Sequence, residues 1–163
     1  MLIYNLLKVI HIGSLVLWLG PALGAWLVLR VAQRQLGEEA EATRLIYSVF
    51  LLSVTLEHIA LIALLASGVG MAVMAGWFGS GWLSVKLAIV GAVILPLEVV
   101  DIWLGNWQIY RIIGRQNRGL AITAGEAKWL AIYHGPFTKI ALLLLPATVL
   151  VIMWLAVSKS TFG

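Results

Sequence analysis

The sequence predicts an all-α fold: a four-transmembrane-helix bundle running up, down, up, down, with both termini outside. Three observations predict it. Hydrophobic residues fill 62% of the 163 positions and charged residues 11%, and mean hydropathy is +1.01, which is outside the range of a soluble domain. Four apolar segments, at about 2–31, 44–75, 82–112 and 128–157, each exceed the ~20 residues that cross a bilayer. Short connections make neighbouring helices antiparallel, and lipid leaves the backbone no partners except those inside helices. The whole chain, 1–163, reads as a single integral membrane domain.

The first segment runs past the length of a signal sequence and has no small-residue cleavage pattern, so it is read as a mature span. Its connection to the second is bounded by Arg30 and Arg44 and contains Arg34. The second connection, Gly76-Trp77-Phe78-Gly79-Ser80-Gly81, has no charge, while the third carries Arg111, Arg115, Arg118 and Lys128. The two basic connections share one side, which the positive-inside rule assigns to the cytoplasm of a bacterial inner membrane. The net charge of +4 therefore needs no nucleic acid to explain it. Trp77, Phe78 and Trp82 at one end, with Trp107 and Trp129 at the other, read as interfacial anchors. Pro21, Pro96, Pro136 and Pro146 lie within spans and should bend them. Gly20 and Gly24 form a GxxxG, and Ser67-Gly68-Val69-Gly70 is similarly small, so both stretches are expected at close helix contacts. Small-residue faces on so short a bundle also suggest a homodimer.

Buried polar groups carry the functional reading. At about 100° per residue, Lys8, His11 and Trp18 share a stripe of the first helix, with Ser14 close by. Such a stripe should face protein, cofactor or water rather than lipid. Lys86 falls at a comparable level. Glu57, His58, Glu98 and Lys139 lie at similar depths, roughly 17–21 Å from the basic ends at about 1.5 Å per residue, followed toward that side by Asp101 and His134. Lys139 can neutralise Glu98 or Glu57 there, or the group can form a proton path or a metal site. The Glu-x-x-His pairs of di-iron bundles are absent. With no cysteine, disulfides, Fe–S clusters, thiolate metal sites and covalent haem attachment are excluded. Neutral imidazole remains a usual axial ligand of haem iron, so His11, His58 and His134 are the candidate metal ligands.

Lys8-x-x-His11, Trp18-x-Gly20 and Trp82-Leu83-x-Val85-Lys86-Leu87 resemble the HemJ-type protoporphyrinogen oxidases, small four-helix proteins related to the CopD membrane domain. The resemblance implies that His11 and Lys86 are the haem-associated, activity-linked positions. A closer resemblance is to a family of predicted bacterial integral-membrane proteins of unknown function. It is carried by Lys8-x-x-His11, by Lys86 through Pro96, and by Trp129 through Pro136-Phe137. It implies the same bundle and leaves the activity open. Glu57-His58, Asp101 and His134 depart from the HemJ pattern and could supply a second ligand, a second cofactor site or a proton route.

The leading expectation is therefore a haem b redox protein that acts on a porphyrin or quinone. His11 and Lys86 would be the catalytic pair, with His58, His134, Trp18 and Lys8 assisting at the cofactor. The alternatives are CopD-like metal handling along Glu57, Glu98, Asp101 and Lys139, and a non-catalytic accessory subunit.

Overall fold

A computed structural model describes residues 1–38 and 40–158. Four helices, each long and apolar enough to cross a membrane, make up the fold: α1 (Leu2–Leu36), α2 (Glu41–Met74), α3 (Gly81–Gln116) and α4 (Ala124–Val157). No strand occurs among the described residues.

The helices overrun the predicted spans because their ends obey local rules rather than hydropathy. The polar stretch Gln33-Arg34-Gln35 suits a helix, and α1 stops only at Gly37, whose φ of 87° favours glycine. α4 starts at Ala124 because Thr123 caps it. The Glu126 amide donates to Thr123 Oγ1 at 3.3 Å, and the Thr123 amide donates to Glu126 Oε2 at 2.8 Å. Arg115, near the end of α3, donates to Glu126 Oε1 at 2.9 Å and ties the third connection to both helices.

Two helices are not uniform. α3 widens to five-residue turns over Val90–Ile94 and again over Ile102–Ile109, and α4 does so over Tyr133–Phe137. Pro96 follows the first wide turn and Pro136 sits inside the third. A wide turn relieves the clash between a proline ring and the carbonyl four residues back. Pro21 and Pro146 lie within ordinary α-helix.

α2 is the central helix. About 44% of its spanning window is buried, against 17–22% for the other three. Around it the interior divides into layers. Near the basic end an apolar cluster joins Leu29, Tyr47, Phe50, Val54, Leu104, Ile112 and Tyr133. A second, farther along, joins Trp18, Ala60, Leu64, Ile94 and Val149. A small third cluster of Ala72, Trp82 and Leu83 closes the uncharged end. Large apolar side chains elsewhere point outward, such as Ile62 and Leu143 at 67% and 77% exposure, as a lipid-facing surface requires.

Several expectations are corrected here. Lys8 is exposed, its ammonium lying over the Tyr4 ring at 5.2 Å, so it is off the buried face. That face follows Leu7, His11, Ser14 and Trp18, a spacing that leaves Lys8 just past its edge. Gly20 and Gly24 meet nothing within 4 Å, whereas Gly68 and Gly70 are the glycines at the α1–α2 contact, against His11 and Leu7. Trp82 is buried at 6% exposure and is a core residue rather than an anchor.

Candidate functional site

Between the first two apolar clusters lies a polar layer built by all four helices. α2 supplies Glu57 and His58, α3 supplies Glu98 and Asp101, α1 supplies Trp18 and α4 supplies Tyr133. Glu98 and Asp101 are three residues apart on the short regular segment Leu95–Asp101, so they share a face. His58 Nε2 sits against both, 3.5 Å from Glu98 Oε2 and 3.3 Å from Asp101 Oδ2. The Trp18 indole donates to the other oxygen, Glu98 Oε1, at 3.0 Å. Tyr133 and Asp101 line one cavity.

Glu57 and His58 are adjacent and point about 100° apart, yet both are buried because α2 is enclosed on several sides. The Glu57 Oε1 atom is buried with no hydrogen-bond partner, as is Trp26 Nε1. Both residues line a cavity of about 70 Å³ that also touches Trp18, Glu98, Asp101 and Tyr133. It has room for about two waters at roughly 30 Å³ each. The expected pairing of Lys139 with Glu98 or Glu57 is absent among the described residues: the ion-pair partner of Glu98 is His58. Lys139 lies just beyond the wide turn at Tyr133–Phe137 and instead lines a second cavity nearer the basic end.

His134 lies in that same wide turn. Its Nε2 is hydrogen-bonded to the Tyr47 hydroxyl, and its ring sits edge-on to Tyr47 and Tyr133 at 5.2 and 5.1 Å between centroids. His58 and His134 are thus held by different partners. Among the described residues no group of three or more His, Asp or Glu side chains is arranged to hold a metal ion.

His11 lies apart from this layer, on the contact between α1 and α2. Its Nδ1 is 2.9 Å from the Leu64 carbonyl and 3.2 Å from Ser67 Oγ. A carbonyl only accepts, so the bond to Leu64 places the ring proton on Nδ1 and leaves the Nε2 lone pair free. The glycine at 68 permits this approach, since a Cβ there would lie 3.0 Å from His11 Cε1. Lys86 on α3 is within electrostatic reach of the ring.

A family model described as a predicted integral membrane protein, DUF2269, matches residues 5–105. The chain belongs to this family. The match covers α1, α2 and α3 as far as Gly105, and so includes His11, Glu57, His58, Lys86, Glu98 and Asp101. No curated protein and no solved structure matches it. This DUF2269 protein is therefore a multi-pass integral membrane protein with a polar layer between apolar clusters.

The fit of a haem turns on the three imidazoles. His11 keeps a free Nε2, the form in which a metal-bound imidazole is usually held. However, its ring packs on the backbone at Gly68, and neither His11 nor Lys86 lines either of the two cavities described above. The Nε2 atoms of His58 and His134 are already engaged. Their Nδ1 atoms are buried without a hydrogen-bond partner. Tyr47, Tyr133 and Trp26 were not singled out by the sequence, because an aromatic residue in an apolar helix gives no contrast in hydropathy. Only their interior position marks them.

Proposed function

We propose that this DUF2269 protein takes up and passes protons within the membrane, with His58, Glu98 and Asp101 as the relay centre and Glu57 as a fourth proton-binding group. The observation that carries this reading is the charge balance of the layer. Two carboxylates, Glu98 and Asp101, contact the one imidazole, a third, Glu57, lines the same cavity, and no lysine or arginine forms an ion pair with them among the described residues. Surplus negative charge is expensive in so apolar an interior, and bound protons relieve it. Tyr133, Tyr47 and His134 connect the layer toward the basic end through ring and hydroxyl contacts, which supports that end as the side of proton exchange. The distribution of arginine and lysine supports a cytoplasmic location for it.

The test is proton uptake by proteoliposomes that hold a pH-sensitive dye, driven by an imposed membrane potential. Uptake above that of protein-free vesicles is expected, with strong loss in Glu98→Gln and His58→Gln and none in Glu41→Gln, which is exposed and outside the layer. Uptake no faster than in empty vesicles, or indifferent to Glu98→Gln, would overturn the proposal.

A second reading keeps a redox role with haem b at His11 and Lys86, as in HemJ-type oxidation of a porphyrinogen or a quinone-linked transfer. The Leu64 contact favours it by leaving Nε2 available on His11. Oxidised and reduced absorption spectra decide it. A Soret band that disappears in His11→Ala supports this reading, and its absence after haem reconstitution ends it.

A further inference from the structure

We propose that the cavity at the basic end is a binding site for a phosphate-bearing anion. The cavity measures about 460 Å³, inside the range of roughly 300–1,000 Å³ typical of small-molecule sites. Arg30 from α1, Arg44 from α2 and Lys139 from α4 line it, with Glu38 the one acidic residue in the lining among the described residues. None of the three cations takes part in an ion pair among the described residues. The Arg30 guanidinium spends one N–H on Gln33 Oε1, at 3.0 Å, and keeps its remaining donors.

The positive-inside rule explains why basic residues gather at this end, but it does not explain why these three line one cavity. Arg34, Arg111, Arg118 and Lys128 satisfy the same rule without lining the cavity. Three cations delivered by three helices suit a tetrahedral anion that can offer a separate oxygen to each. Two of them are guanidinium forks, whose geometry matches phosphate. Two sources share that chemistry: a soluble phosphate compound, or the headgroup of an anionic lipid entering between the helices. The inference is independent of the proton-relay reading, because it uses neither the buried carboxylates nor His58.

Thermal unfolding of the detergent-purified protein tests it in two arms. In the first, sodium phosphate is titrated against sodium chloride of equal ionic strength. In the second, phosphatidylglycerol is titrated against phosphatidylcholine in mixed micelles. A saturable rise in melting temperature with phosphate supports a soluble source, and a rise with phosphatidylglycerol alone supports a headgroup. In either case apparent affinity should fall by on the order of tenfold in Arg30→Gln and again in Arg44→Gln, with Arg118→Gln unchanged. Should either arginine variant fail to fold, Lys139→Gln, at an exposed position, carries the same expectation. No stabilisation in either arm, or equal stabilisation of the cavity variants and Arg118→Gln, refutes the site.

Discussion

Replacing Gly105 with alanine probes the packing that holds the polar layer together. A Cβ at this position would lie 2.7 Å from Tyr133 Oη and 3.2 Å from its Cζ, so one of the two must move. Tyr133 has little freedom to do so. It is 2% exposed, stacked on Phe137 at 5.8 Å and edge-on to His134 at 5.1 Å. Overpacking of this kind costs about 1–3 kcal/mol, while exchanging glycine for alanine within a helix returns up to about 1 kcal/mol. Gly91 provides the matched control: it lies in the other wide turn of α3 and meets nothing within 4 Å. Gly91→Ala should therefore be neutral or stabilising, and Gly105→Ala should be less stable than it by about 1–3 kcal/mol. The assay is reversible denaturant unfolding of the purified protein in mixed micelles, followed by helical circular dichroism. Tyr133→Phe removes the nearest clashing atom, so Gly105→Ala combined with Tyr133→Phe should cost less than the sum of the single changes. Equal stability of the two alanine variants, or strict additivity with Tyr133→Phe, would show that α3 and α4 do not meet through Gly105 and Tyr133.

Trp18→Phe removes the indole donor from Glu98 and should destabilise by about 1–3 kcal/mol, because it strands a buried acceptor; unfolding midpoints check this. Infrared spectra of the same variant should show a displaced carboxyl band, which a purely packing role for Trp18 would leave in place. Tyr47→Phe leaves the His134 Nε2 without its hydroxyl partner, with a loss of about 1–3 kcal/mol expected in the same unfolding assay. Thr123→Ala breaks the capping box of α4 and should cost about 1 kcal/mol. Arg115→Gln removes a half-exposed ion pair and should stay within about 1 kcal/mol. An effect of Arg115→Gln larger than that of Thr123→Ala would reverse this ranking.

The four helices were legible because hydropathy over long windows dominates everything else in this chain. Facing was legible only where helices are regular. In α1 a uniform 100° step places His11 and Trp18 on the inner face, and it misplaces Lys8 because one residue at the edge of a stripe is beyond its resolution. In α3 and α4 each wide turn inserts extra backbone and rotates the residues beyond it by about 100°. A uniform rise therefore grouped Lys139 with Glu98, whereas the structure turns Lys139 into the basic-end cavity beside His134. Proline marks two of the three wide turns, but Pro21 and Pro146 sit in ordinary helix, so proline alone does not announce them. The start of α4 lies ahead of the span predicted from 128, because hydropathy is blind to the capping pair Thr123-x-x-Glu126 that sets it.

The segment Leu95–Asp101, bounded on both sides by wide turns, bears on how α3 tolerates changes in length. Deleting one residue within Val90–Ile94 lets that stretch close into ordinary α-helix, absorbing the loss without shortening the span by a full turn. Glu98 and Asp101 then keep their aim at His58, because the wide turn already holds one residue more than an ordinary turn. In α3, therefore, the wide turn lets residue number change by one while both the aim of the carboxylates and the reach of the helix are kept. Homologues that lack one residue in this stretch should keep the chemistry of their interior while crossing the bilayer equally well.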